Sequence, residues 1–171
     1  MARMFQDTEG RGIDSEWVLK HGAIGGLIGA IVFAMAEMVA AWLSGGNFFG
    51  PLHMMASIPL QQPPPEIARG TALLVGTLFH LAYSVVLGII VAYIVASVAA
   101  LRNSSTATIV FATVVGFIIW PLNFYVIAPA INAPWFATET NPFLQFIFHT
   151  FAFGTVLGVY LAAQLPSLEN E

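Results

Sequence analysis

The chain has 171 residues and a formal net charge of −4, with five Lys and Arg against nine Asp and Glu. Hydrophobic residues make up 58% of the chain and charged residues only 8%, whereas a soluble domain usually carries about 25% charged residues. This composition predicts an integral membrane protein. The scarcity of basic residues argues against nucleic acid as a partner. The absence of cysteine excludes disulfides, iron–sulfur clusters and thiolate metal sites.

The first predicted span, residues 22–43, follows a polar segment, residues 1–21. The span is long enough to cross roughly 30 Å of hydrocarbon, which takes about 20 residues. A polar segment of this length before it is unlike a signal peptide, so we expect the helix to be retained. Within the segment, DSEWVLKHG predicts a short surface helix capped by Asp14 or Ser15.

This span begins with the glycine-rich stretch GAIGGLIGA. Its glycines form two small-xxx-small pairs, Gly22 with Gly26 and Gly25 with Gly29. Such spacing lets two helix backbones approach closely. The pattern leaves open whether the facing helix belongs to the same chain. As partners we expect the lipid bilayer and, at this glycine face, other membrane subunits.

Three further apolar stretches predict spans at 71–99, 106–128 and 143–164. The predicted fold class is therefore an all-α membrane protein, a four-transmembrane-helix bundle in one domain, 22–164. The connections 44–70 and 129–142 are long and contain several prolines, whereas the second and third spans are joined by a short link.

Lys and Arg predict the orientation, because short cytoplasmic flanks of membrane proteins carry more of them. The side of the predicted bundle that carries the two long connections has only one basic residue, Arg69. We therefore expect the segment 1–21 and the tail 165–171 to be cytoplasmic, in the cell (inner, cytoplasmic) membrane, and both long connections to face outward. The remaining basic residues are Arg3, Arg11, Lys20 and Arg102.

Short words recur between the two halves of the chain. YSVVLG at 83–88 matches FGTVLG at 153–158, and IVFA occurs at 31–34 and at 109–112. A repeat of two crossings keeps its orientation, so the halves would be related by an axis along the membrane normal. The sequence thus predicts a possible two-plus-two parallel internal repeat, in which the second and fourth spans are equivalent and each carries a histidine.

Each span places one polar side chain near its outward end: Glu37, His80, Asn123 and His149, in chain order. At about 1.5 Å of rise per residue, all four lie roughly 8–13 Å below that end and share one layer. Ionisable groups inside a membrane are costly and find partners in the bundle interior, which favours a pair between Glu37 and a histidine. Polar side chains that only join helices by hydrogen bonds would give the same pattern.

Several ligands are open for this layer. His80 and His149 would face each other across a diagonal of about 13 Å, which suits the two axial positions of a haem b iron. A quinone headgroup or a lipid can be held by hydrogen bonds to these histidines, Glu37 and Asn123. A metal ion bound by both histidines and Glu37 is a further possibility. We identify no catalytic residue.

The stretches HLAYSVVLG, HTFAFGTVLG and WPLNFY resemble a group of small, functionally uncharacterised prokaryotic four-helix membrane proteins. Some members of this group are similar to proteins found beside haem–copper oxidase genes. The likeness covers all four spans, and His80 and His149 are the positions that match. The resemblance implies a respiratory or electron-transfer association and carries over no catalytic residue.

The leading hypothesis is therefore a non-catalytic accessory subunit of a membrane respiratory or electron-transfer complex, with a haem or quinone at the histidine layer near the outer face. The alternative is a small proton- or ion-coupled transporter that uses Glu37 and the two histidines as a relay. The third hypothesis is a metal-dependent membrane enzyme.

Overall fold

The computed structural model describes residues 13–165, and this part of the chain forms helices and loops, with no strand. We number its five longer helices in chain order. Four of them are long and apolar enough to cross a membrane, which confirms the predicted all-α, four-helix membrane protein. The helices are α1 Ser15–Leu43, the short α2 Gly50–Leu60, α3 Arg69–Ser97, α4 Ser105–Ala130 and α5 Pro142–Gln164.

The first spanning helix begins several residues before the predicted span. Asp14 caps it by accepting a hydrogen bond from the backbone N–H of Trp17 at 3.0 Å. The predicted surface helix is therefore the first part of α1 and not a separate element. Trp17 is buried, and its indole Nε1 donates to the carbonyl oxygen of Gln164 at the end of α5.

Successive spans alternate in direction, so α1 begins and α5 ends at the same end of the bundle. We call this the terminal end, and we call the opposite end, which carries the connections 44–70 and 129–142, the long-loop end. Which end faces the cytoplasm, and in which membrane, stays a prediction. Arg3 and Arg11, on which that prediction depends in part, lie outside the described residues.

The glycines of α1 pack against helices of the same chain. Gly22 and Gly26 face α3, and a methyl group on Gly22 would lie 2.6 Å from the Cα of Ile89. Gly25 and Gly29 face side chains of α5. This corrects the expectation that the glycine face meets other subunits, because the close backbone approach that glycine permits is already used within the chain. Association with other subunits stays a prediction and requires a different surface.

The second pair of helices is joined in the same way. Gly116 of α4 lies against Gly154 of α5, and a methyl group on Gly116 would come within 2.9 Å of the Cα of Gly154. Further along α5, Gly158 contacts Ile109 of α4, as Gly88 of α3 contacts α1. The similar pairs α1 with α3 and α4 with α5 support the two-plus-two arrangement.

A π-helical segment explains why the two histidine helices do not align residue for residue. His80 lies eight residues before Gly88, whereas His149 lies nine before Gly158. The segment Phe148–Thr155 is π-helical, and a π-bulge accommodates one extra residue. The duplication itself stays a prediction. The two IVFA words do not support it, because they do not occupy equivalent positions. The second word, at 109–112, contacts Gly158, whereas the first, at 31–34, lies beyond the α1 residues that contact Gly88.

Two further π-helical segments lie in the long-loop halves of the spans: Ala72–Gly76 in α3 and Leu122–Ile127 in α4. The second begins directly after Pro121, which has no N–H to donate and so frees the carbonyl four residues earlier. WPLNFY therefore marks an interruption of α4, as its proline indicates. Such segments often occur at functional sites, because they redirect side chains from the regular helical positions.

The long connection between α1 and α3 folds back onto the bundle. Leu52 and its buried neighbours on α2 pack against the start of α3, where Gly76 leaves room for the backbone of α2. Trp135, from the second long connection, donates its indole N–H to the hydroxyl of the buried Ser57 at 2.8 Å. The two long connections are thus tied together over the long-loop end.

The bundle is packed unevenly. α1 lies along both α3 and α5, and α4 lies along α5, but α3 and α4 make few contacts with each other. The core of the terminal half is filled by almost fully buried aliphatic side chains: Val91, Val95, Leu157 and Leu161. Towards the long-loop end a cavity takes the place of this core.

Candidate functional site

A cavity of about 740 Å³ occupies the long-loop half of the bundle. Its walls come from the four spans, α2 and both long connections. The polar residues predicted from the sequence all line it: Glu37, His80, Asn123 and His149. The volume is within the range of small-molecule sites, roughly 300–1,000 Å³. The structure therefore brings the predicted layer together around one cavity, which is open towards the long-loop end.

Glu37 is held by a glutamine and not by a histidine. The side-chain Nε2 of Gln145 on α5 donates to Oε1 of Glu37 at 2.6 Å. Glu37 is only 8% exposed, and a carboxyl group buried to this extent is costly unless it is hydrogen-bonded. The expected pair between Glu37 and a histidine does not form.

Gln145 also orients His149, one turn further along α5. The backbone carbonyl of Gln145 accepts a hydrogen bond from Nδ1 of His149 at 2.8 Å. A carbonyl oxygen only accepts, so Nδ1 carries the proton, and Nε2 of the neutral ring is left with a lone pair. Within residues 13–165 this Nε2 makes no hydrogen bond, and His149 lines the cavity.

His80 is held through its other ring nitrogen. Its Nε2 donates to the backbone carbonyl of Ala30 on α1 at 3.0 Å, which leaves Nδ1 of the neutral ring as an acceptor. The phenyl ring of Phe33 packs against both imidazoles, with centroid distances of 5.4 Å to His80 and 4.7 Å to His149. Phe33 therefore fixes the two rings on either side of α1.

Tyr83 and Asn123 bridge the side of the bundle where α3 and α4 barely touch. The Tyr83 hydroxyl donates to Oδ1 of Asn123 at 2.8 Å. Both residues line the cavity. Nδ2 of Asn123 makes no hydrogen bond to any residue that the structure describes, so this amide keeps a donor.

Aromatic rings form much of the remaining wall. Phe124 meets His149 edge to face at a centroid distance of 5.6 Å. Aromatic side chains favour edge-to-face and offset contacts with other flat rings. The cavity therefore suits a flat, mostly apolar molecule with a few polar atoms. The other rings that line it are Phe33, Phe79, Phe136, Phe148 and Phe153, with that of Tyr83.

A haem with His80 and His149 as its axial ligands does not fit this arrangement. The iron takes one histidine nitrogen on each face of the macrocycle, and the two rings must be separated by the porphyrin. Nε2 of His80 is instead engaged with Ala30, and the single phenyl ring of Phe33 packs against both imidazoles.

A metal ion bound by both histidines and Glu37 does not fit either. Among residues 13–165, no three His, Asp or Glu side chains lie close enough to share an ion. Glu37 is turned towards Gln145, and one nitrogen of each histidine is bonded to a backbone carbonyl. The ligand set on which the metal-dependent enzyme hypothesis rests is therefore not assembled in the described part of the chain.

Among the lining residues that were not predicted from the sequence, Phe33, Tyr83 and Gln145 contact the predicted polar side chains. All three have a signal in the helical period. Tyr83 lies three residues after His80, and Gln145 lies four residues before His149, so each shares a helix face with a predicted residue. Phe33 lies four residues before Glu37 and is the only phenylalanine in α1, so it has the same signal.

Comparisons of the chain with protein-family models, with curated proteins and with solved structures gave no match. The resemblance to four-helix proteins found beside oxidase genes stays a prediction. The function is therefore proposed from the cavity and its polar groups.

Proposed function

We propose that this protein binds a quinone-class molecule in the long-loop cavity and acts as a non-catalytic accessory subunit of a membrane electron-transfer complex. One observation carries the proposal: a cavity of about 740 Å³ combines polar side chains from all four spans with walls of aromatic rings. A quinone headgroup has the matching chemistry, since it is a flat ring with oxygen atoms at opposite ends and it dissolves in lipid.

The polar groups of the cavity come from two sides of the bundle. Glu37, Gln145 and His149 form a hydrogen-bonded set on α1 and α5. Tyr83 and Asn123 form a second set on α3 and α4. A headgroup between the two sets can make hydrogen bonds at both of its oxygen atoms, while its ring contacts the aromatic walls.

A transporter has less support from this arrangement, because the terminal half of the bundle is filled. The close contacts of Gly22 and Gly26 with α3 lie in that half, as do the almost fully buried Leu157 and Leu161. A relay through Glu37 and the histidines would end at this packed region. A binding site open towards one end agrees better with the packing.

An accessory role agrees with the composition of the chain and with its exposed surface. The sequence contains no cysteine for an iron–sulfur cluster, and His80 and His149 are not arranged for a haem, so electrons from a bound quinol would pass to a cofactor held by another subunit. α3 and α4 also present large apolar side chains that face either lipid or such a subunit: Leu74, Leu78, Val86, Val110, Val114 and Phe117.

Binding is tested with the full-length protein in nanodiscs, titrated calorimetrically with a ubiquinone analogue that carries a ten-carbon chain, in its oxidised and reduced forms. We expect saturable binding of one molecule per chain. His149→Ala should weaken the binding about tenfold or more, because it removes the polar group that faces the cavity. His21→Ala is the matched control, since His21 bonds Tyr160 at the terminal end and does not line the cavity.

Absence of saturable binding of either form to the wild-type protein would overturn the proposal. Equal weakening by His149→Ala and His21→Ala would place the ligand outside the cavity and would overturn it too. The subunit role is tested by purification from the native membrane in mild detergent. We expect subunits with redox cofactors to co-purify. A protein that purifies alone and moves protons in liposomes would contradict that role.

A further inference from the structure

We infer that the cavity selects the reduced form of its ligand, a hydroquinone that bears hydroxyl groups, over the oxidised quinone. This inference rests on the quinone-class ligand proposed above and adds which redox form is held. It follows from the hydrogen-bond donors and acceptors of the polar residues that remain free after their bonds within the protein are counted.

On α1 and α5 the groups that remain free include acceptors and one donor, the second amide hydrogen of Gln145. Nδ1 of His149 is committed as a donor to the carbonyl of Gln145, so Nε2 offers a lone pair. Glu37 accepts one hydrogen bond through Oε1, and its second oxygen has no partner within residues 13–165. Oε1 of Gln145 also lacks a partner in this part of the chain, but it is fully buried, so a molecule in the cavity does not reach it.

The other two spans add one acceptor and one donor. His80 donates through Nε2 to Ala30 and therefore presents Nδ1 as an acceptor. Asn123 accepts from Tyr83 and keeps the two hydrogens of its amide. The imidazoles of His149 and His80 therefore each present a lone pair, and the free donors are amide hydrogens of Asn123 and Gln145.

The two redox forms of the ligand differ in whether they can donate hydrogen bonds to these groups. A hydroquinone has an O–H at each end of its ring and can donate to the lone pairs of His149 and His80, and its oxygens still accept from Asn123. A quinone has only acceptors, so it would set carbonyl oxygens against these lone pairs and leave them unpaired in a medium of low dielectric constant. Sites built to bond a hydroxyl discriminate strongly against an analogue that lacks it.

The inference is tested by measuring the affinities of the ten-carbon ubiquinone analogue and of its hydroquinone for the full-length protein in nanodiscs, without oxygen for the reduced form. We expect the hydroquinone to bind at least about tenfold more tightly, which corresponds to about 1.4 kcal/mol. This ratio comes from the wild-type protein and does not depend on the folding of any variant.

A pair of histidine variants tests the source of the preference. His149→Phe keeps a flat ring but removes the lone pair, so we expect it to lose most of the preference through weaker hydroquinone binding. His21→Phe should keep the wild-type ratio. Equal affinities of the wild type for both forms, or tighter binding of the quinone, would overturn the inference and leave the proposed function standing. Failure of both forms to bind would overturn the proposed function itself.

Discussion

Gln145 is the residue that organises the polar part of the cavity. Its side chain holds Glu37, and its backbone carbonyl fixes the tautomer of His149. Both bonds lie in a region of low dielectric constant, where an unpaired polar group is more costly than in water. One glutamine thus determines the state in which two ionisable residues face the cavity.

Replacing this glutamine tests its role. Gln145→Ala removes the donor to Glu37 and leaves a buried carboxyl group without its partner. We expect the free energy of unfolding to fall by about 1–3 kcal/mol, measured by reversible denaturation in mixed detergent micelles. Gln61→Ala is the matched control, because the Gln61 amide is exposed and bonds only the carbonyl of Ile58. An equal effect of both substitutions would show that the bond to Glu37 adds nothing to stability.

The residues of the layer could be predicted from the sequence, but their partners could not. Depth follows from counting residues along a helix, and so Glu37 and His149 were placed at similar depths. Partner choice depends on how each helix is rotated about its axis. The π-helical segment Phe148–Thr155 changes that rotation, so a regular helical period does not describe it. Gln145 shares a helix face with His149 and lies one turn nearer the long-loop end, and Glu37 is bonded to it instead of to a histidine.

At the level of helices, glycine sets the packing of both helix pairs. A methyl group on Gly88 would come within 2.8 Å of the Cα of Gly26 on α1, whereas one on Gly70 would have no neighbour within 4 Å. Both glycines belong to α3. The two positions therefore separate the effect of close packing from the general effect of a glycine in a helix.

Gly88→Ala should lower the free energy of unfolding by about 1–3 kcal/mol, because α1 and α3 must move apart to admit the methyl group. Gly70→Ala should leave stability unchanged or raise it by about 0.5–1 kcal/mol, since alanine favours the helix. The measurement is the same reversible denaturation in mixed micelles. A stable Gly88→Ala variant would mean that the helices are not in close contact at this position.

The four spans were predictable, because length and hydropathy alone decide which segments cross the membrane. The packing of the loops was not. α2 lies against α3, and Trp135 bonds Ser57, through contacts between segments far apart in the sequence. No local pattern encodes such contacts. The same reason explains why the glycine face of α1 was assigned to other subunits, since its spacing shows that a helix is close but not which one.

For the whole molecule, we expect the weak contact between α3 and α4 to decide how the proposed ligand reaches the cavity. These helices are neighbours in the chain. In the described residues, one side-chain hydrogen bond, between Tyr83 and Asn123, joins them near the cavity. A ligand with a long apolar tail can enter there from the lipid, with its tail left between the helices. A headgroup without a tail can instead enter from the long-loop end, where polar residues line the rim: Ser44, Asn47, Glu139 and Asn141.

Entry of the ligand from the lipid between α3 and α4 is tested by closing the gap between these helices. The native sequence has no cysteine, so a Tyr83→Cys, Asn123→Cys double variant can be joined by a reducible bifunctional thiol reagent that spans the gap. We expect the linked protein to bind a long-chain ubiquinol at least about tenfold more slowly than the same variant unlinked, because the bridge blocks passage between α3 and α4. Reduction of the linker should restore the rate, and a tail-free hydroquinone should bind equally well in both states. Unchanged entry of the long-chain ligand into the linked protein would show that it, too, enters from the long-loop end.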